Sequence, residues 1–112
     1  MAQPAYNEKK LRELIVYIAT RSENDSSFGA TKLNKILFFS DFEAYVRFGK
    51  PITGAAYQRL PQGPAPKQLV PVKNIMIRDQ DILEREVLHH STYTQKRILA
   101  LRDPDLSMFS AD

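Results

Sequence analysis

The chain has 112 residues, 43% of them hydrophobic and 26% charged, which is the size and balance of one globular domain. Its net charge is +3, from 16 Lys and Arg against 13 Asp and Glu, and it has no cysteine. This composition excludes wholesale disorder, disulfides, thiolate nucleophiles and Cys-type zinc sites.

No apolar run approaches the roughly 18 residues of a membrane span. The start, Met1-Ala2-Gln3-Pro4, lacks the basic-then-apolar pattern of a signal peptide. A cytoplasmic protein without membrane contact is expected. Residues 1–50 carry 8 basic and 6 acidic side chains, and residues 51–112 carry 8 and 7. The positive excess is therefore spread out and forms no patch. The calculated pI of 9.3 permits nucleic-acid binding but does not argue for it.

In chain order, Asn7 is placed as a helix N-cap with Glu8 in the first turn. Leu11, Leu14, Ile15, Ile18 and Ala19 then recur at helical spacing, which predicts a first helix over residues 7–22. The polar stretch 23–27 reads as a loop. A second helix starts at a Thr31 cap and stops at Gly49 before Pro51. Its apolar side runs through Leu33, Ile36, Leu37, Ser40, Ala44, Tyr45 and Phe48, widened by Phe38, Phe39 and Phe42. So wide a face predicts the central element of the core, covered on more than one side.

Residues 52–60 read as extended, with Gly54 at a point of close packing. Residues 61–66 hold three of the seven prolines, so a rigid, mostly non-helical loop is expected. Pro66 then opens a third helix over residues 67–78, with Pro71 in its first turn and Leu69, Val72, Ile75 and Met76 on the buried face. Residues 82–90 and 95–101 form a hairpin turning at 91–94. A break follows at Asp103-Pro104-Asp105. Ser110 is placed as one more N-cap, with Asp112 in the first turn. The sequence is therefore expected to be a single domain over 1–112, truncated at its C-terminal end from a longer protein. The fold class is α+β: three helices with a small antiparallel sheet in the C-terminal half.

The only histidines, His89 and His90, are adjacent in a strand and point to opposite faces. A metal site would need Asp79, Asp81, Glu84 or Glu86 to complete it, and a solvated strand edge is the favoured reading. Asp41 sits beside the apolar side of the second helix, where a structural hydrogen bond to a neighbouring loop is favoured over catalysis. A hydrolase pairing Asp41 with Glu84 or Glu86 would need a pocket joining them. No nucleophile elbow, phosphate loop or dinucleotide fingerprint occurs, and no catalytic residue, cofactor or metal ligand is assigned. Lys32, Lys35 and Arg47 read as a solvated face. The 57–67 segment is the strongest binding candidate. Its prolines lower the entropy lost on docking, and Tyr and Arg are favoured anchors at interfaces. Tyr57, Arg59, Gln62, Pro64 and Lys67 are its expected contact residues.

Two stretches carry a family resemblance. The first is Thr31-Lys32-Leu33-Asn34-Lys35-Ile36-Leu37-Phe38-Phe39-Ser40-Asp41. The second runs Gly49-Lys50-Pro51-Ile52-Thr53-Gly54-Ala55-Ala56-Tyr57 and on to Gly63-Pro64-Ala65. Together they resemble the SocA-like antitoxin domain, also called the Panacea domain. Its members show K-L-N-K-L-L-Y-F-A-D on a helix, then G-x-x-I-T-G-x-x-Y and a G-P-V loop. Here Phe38-Phe39-Ser40 replaces Tyr-Phe-Ala and Ala65 replaces Val. The match covers residues 31–66. The resemblance implies a bacterial or phage protein that neutralises a cognate protein toxin, encoded beside it, by direct binding. One branch of the family also acts as an adaptor to a protease complex. The alternative, from a different class, is a nucleic-acid-binding transcriptional regulator. Homo-oligomeric state is not set by the sequence.

Overall fold

The computed structural model describes residues 5–89 and 93–109. Helix α1, Glu8–Arg21, starts where the Asn7 side chain accepts the Lys10 N–H at 3.0 Å. Its predicted stripe is buried, and Val16 and Glu13 are buried with it. The loop that follows is pinned by fully buried Phe28 and by Arg97, whose guanidinium donates to the carbonyls of Glu23 and Asp25, both at 2.7 Å.

Helix α2, Ala30–Phe48, is capped by Gly29 and not by Thr31. The Gly29 carbonyl already accepts the Leu33 N–H at 2.9 Å, so the helix has begun before a Thr31 cap could act. Gly29 also backs onto Gln95, where an added Cβ would sit 2.7 Å from Cγ. The helix stops at Gly49, left-handed at φ 83°, as its C-terminal glycine predicts. The expected double coverage of α2 is wrong. It buries only Leu33, Leu37, Asp41 and Ala44, and a single side is packed. Helix α1, with seven buried residues, is the centre of the core. Against it lie Leu69, Val72 and Met76 of α3 (Leu69–Arg78), Ile82 of β3 (Ile82–His89) and Ile98 of β4 (Tyr93–Ala100). Each such fully buried aliphatic side chain contributes roughly 1.5–3 kcal/mol.

Of the extended stretch 52–60, only Tyr57–Leu60 is a strand, β1. The expected loop after it is a tight turn at Pro61-Gln62 and a second strand, β2, Gly63–Pro66. The register is Tyr57↔Pro66, Gln58↔Ala65, Arg59↔Pro64 and Leu60↔Gly63. One residue further out, the Lys67 N–H donates to the Ala56 carbonyl at 2.7 Å. Antiparallel pairs alternate between bonded and non-bonded. Pro64 and Pro66 therefore occupy non-bonded positions, where the absent N–H would point outward. A strand can hold prolines at such positions without losing a ladder bond. Pro66 thus ends β2 and does not open α3, while Pro71 falls within the first turn of α3, as expected.

Helix α3 ends with Gln80 in a left-handed conformation at φ 63°. The N–H of Gln80 donates to Ile77 and that of Asp81 to Met76, which closes the helix and delivers Asp81 to β3. Strands β3 and β4 pair antiparallel from Ile82↔Ala100 to His89↔Tyr93. Tyr93 and Thr94, expected in the turn, belong to β4, while Ser91, Thr92, the His90 reading, and the Ser110 and Asp112 cap lie outside the described residues. A short 3-10 turn, Leu106–Met108, packs on α1. The architecture is α+β: three helices and two small two-stranded sheets. Among the described residues, no helix is long and apolar enough to cross a membrane.

The two ends of the chain meet in an ion network. Glu13 accepts both terminal nitrogens of Arg102, at 2.8 and 2.7 Å, and the Asp105 N–H at 2.7 Å. Asp81 accepts Arg102 Nε at 2.8 Å and Arg12 at 2.7 Å. The Arg102 hydrogen bonds hold the Glu13 carboxyl below its usual range, against the opposing effect of burial. Burial pushes Asp81 up, but Arg102 and Arg12 more than offset this and its carboxyl also sits low. A depressed carboxyl binds its proton more weakly in the folded state than in the unfolded one. Its stabilisation is full above about pH 5 and is lost as the pH falls below about 4. Urea midpoints measured from pH 7 to pH 3 should fall most steeply below pH 4.

Candidate functional site

The site is built on one buried carboxylate. Asp41 lies one turn beyond Leu37 on the packed side of α2 and is 4% exposed. Its Oδ1 accepts the Thr53 N–H at 2.8 Å, and its Oδ2 accepts the Thr53 hydroxyl at 2.6 Å. The Tyr57 hydroxyl also reaches Oδ2 at 2.6 Å and lies 2.9 Å from the Leu37 carbonyl. Burial, then the neighbouring Asp41 charge, pushes the Tyr57 hydroxyl well above the usual phenol range, so it stays a donor. The structural hydrogen bond expected for Asp41 is therefore present, in triplicate. The Thr53 carbonyl in turn accepts the Asn7 N–H at 2.8 Å, tying the start of α1 to the same point. Gly54 follows at φ 72°, where a Cβ would come 2.6 Å from the Ala5 carbonyl oxygen. Only glycine fits both the left-handed backbone and that contact. Asp41 stands 12 residues before Thr53, yet with Gly54 and Tyr57 the two form one joint between α2 and the β1–β2 hairpin.

Beside this joint lies an aromatic ridge. The Phe38 ring stacks on Phe42 at 5.9 Å and meets Phe39 and Tyr57 edge-on at 5.7 and 5.4 Å. Phe39, Phe42, Tyr45, Val46 and Phe48 are each more than half exposed. At about 100° per residue, Phe48, Tyr45, Phe38, Phe42, Val46 and Phe39 cover roughly half the circumference of the helix. Monomeric proteins rarely leave so large a contiguous apolar surface in water. The residues that predicted a doubly covered helix are thus the residues left open.

The predicted contact residues of the hairpin separate into two kinds. Arg59, Gln62 and Lys67 are exposed. Tyr57 and Pro64 are half-buried, and Tyr57 spends its hydroxyl on Asp41. Tyr57, Arg59 and Pro64 line one shallow depression with Leu60, while Gln62 sits at the turn and Lys67 at the far end of the hairpin. Sequence reasoning missed Phe39, Phe42 and Val46 as surface residues. Their helical arc, too wide for one packing partner, was the available signal.

Around the ridge the exposed charges are unequal. Lys32 is paired with Asp25, and Arg47 with Glu43 at 2.7 Å. Lys35, Lys50, Arg59 and Lys67 have no carboxylate partner among the described residues. Glu84 pairs with Lys73 at 2.6 Å, and Asp79 and Asp81 both face Arg12. Neither the depression at the hairpin nor the groove between α1 and the end of α2 is lined by Asp41, Glu84 or Glu86. Among the described residues, no three His, Asp or Glu side chains come together as a metal site.

Comparison with protein families matches residues 33–110 to the family described as antitoxin SocA-like, Panacea domain. Comparison with curated proteins and with solved structures gave no match. The matched stretch contains the Asp41 joint, the aromatic ridge from Phe38 onward and the whole of the β1–β2 hairpin.

Proposed function

Because the chain belongs to the SocA-like antitoxin, or Panacea, family, we propose that it neutralises a protein toxin by binding it directly and covering its working surface. The observation that carries this reading is the open aromatic face of α2, beside a hairpin fixed in place by Asp41. Five large apolar side chains held in water at one place are a cost to an isolated domain. They become an asset when a partner buries them, at roughly 1.5–3 kcal/mol for each one fully covered. Arg59, Gln62 and Lys67 would supply the polar rim, and Tyr57 and Pro64 the stiff floor between rim and ridge. Steric occlusion needs no catalytic group.

The test uses the product of the neighbouring gene as bait. Wild-type protein should capture it and restore growth when the two are co-expressed. A Phe39→Ser, Phe42→Ser variant alters two exposed rings, so its thermal midpoint should stay close to wild type. Its affinity should fall about 30-fold or more, as for a hot-spot pair. Full binding and rescue by the folded variant would move the docking face elsewhere. No capture by the wild-type chain would remove the toxin reading itself.

A further inference from the structure

The two edges of the β1–β2 hairpin differ. On β2, the outward positions 64 and 66 are both proline, so that edge offers no N–H donor there, and it lies against α2. On β1, the alternation that turns Pro64 and Pro66 outward also turns Tyr57 and Arg59 outward. Among the described residues, nothing accepts the N–H of Tyr57 or Arg59 and nothing donates to their carbonyls. One edge of this small sheet is closed by proline and the other is left unpaired, which is the form of a template for a further strand.

The inference rests on the toxin reading above: we infer that an extended segment of the toxin adds to the free edge of β1, pairing with Tyr57 and Arg59. Side chains two apart share a face of a strand, so those of Tyr57 and Arg59 lie together. That face is continuous with the ridge, since the Tyr57 ring touches Phe38. A strand laid there brings every second side chain beside the Tyr57 ring and Arg59. Arg59 beside it, and Lys35 one helical turn before Phe38 and Phe39, are cations without carboxylate partners among the described residues. The occupant therefore combines apolar residues at alternate positions with flanking Asp or Glu. A second copy of this chain fits less well, because edge-to-edge pairing of two β1 strands would bring Arg59 close to its own counterpart.

The substitution Arg59→Pro tests the edge directly. The Arg59 N–H makes no bond in the free protein, and its cross-strand neighbour is already Pro64, so the hairpin should tolerate the ring. Arg59→Ala removes the charge but keeps the N–H, and serves as the reference. Against the neighbouring gene's product, Arg59→Ala should weaken binding by no more than about fivefold, the range of an exposed ion pair. Arg59→Pro should weaken it a further tenfold or more, because a buried carbonyl of the added strand loses its donor. In wild-type complex, amide exchange at Tyr57 and Arg59 should slow at least about tenfold relative to free protein. This second readout needs no variant to fold. If the product binds, the Pro and Ala variants bind alike and the two amides exchange at unchanged rates, strand addition is overturned and the toxin reading stands. If wild type captures nothing, both fall together. A dimer of the chain alone that Arg59→Pro abolishes would assign the edge to self-association and overturn the inference.

Discussion

Asp41→Ala should lower the stability of the domain by about 3–5 kcal/mol, a large part of the roughly 5–15 kcal/mol that holds a domain of this size. The loss has separate sources. The Thr53 N–H is left inside without its acceptor, at a cost of about 1–3 kcal/mol, and the Tyr57 hydroxyl is reduced to the Leu37 carbonyl at 2.9 Å. The Thr53 hydroxyl loses its acceptor as well. Asp41→Asn keeps one oxygen for the Thr53 N–H and should cost less. Urea unfolding followed by circular dichroism reads both values, and a loss below about 1 kcal/mol for the alanine variant would contradict the joint described here. The functional consequence comes through the hairpin. Without Asp41 the Tyr57 ring is held against Phe38 less firmly, by the Leu37 carbonyl alone, and affinity for the partner should fall even under conditions where the variant remains folded.

Arg102→Ala is the second large effect, at about 3–4 kcal/mol near neutral pH. Arg102 is the counter-charge of Glu13 through two nitrogens and of Asp81 through the third. Removing one member of such a buried group leaves the others charged and poorly solvated, which costs far more than the intact network contributes. Asp81 keeps Arg12, and Glu13 keeps only the Asp105 N–H, so most of the loss falls on Glu13. Protonating Glu13 relieves that charge. The gap between wild type and variant should therefore narrow between pH 7 and pH 4. Denaturation curves at the two pH values decide this, and a gap that widens in acid would refute the assignment.

How much could be read from the sequence depended on the range of the interaction. The Asn7 cap, the Leu11 to Ala19 stripe and the Gly49 stop are local patterns, and all three are present in the structure. Asp41 was legible as a carboxylate on an apolar face that needed a partner, though the sequence did not say that Thr53 and Tyr57 would both answer. The prolines at 64 and 66 misled, because proline reads as a loop residue until the strand register is known. Their spacing of two was the remaining clue. Coverage of α2 was not legible at all. A broad apolar arc looks the same whether the covering surface belongs to the same chain or to another molecule. The Glu13–Arg102 pair joins residues 89 positions apart and leaves no mark on either local pattern.

The joint at Thr53 also separates two tasks within one surface. Asp41, Thr53, Gly54 and the Tyr57 hydroxyl fix the shape, and every one of those contacts points inward. Phe39, Phe42, Val46, Arg59 and Gln62 are exposed and make none of the hydrogen bonds of that joint. Their identities can be exchanged without disturbing the frame that presents them. Under the proposed function, such a division would let the outward positions be rewritten for a different toxin while the skeleton beneath stays the same.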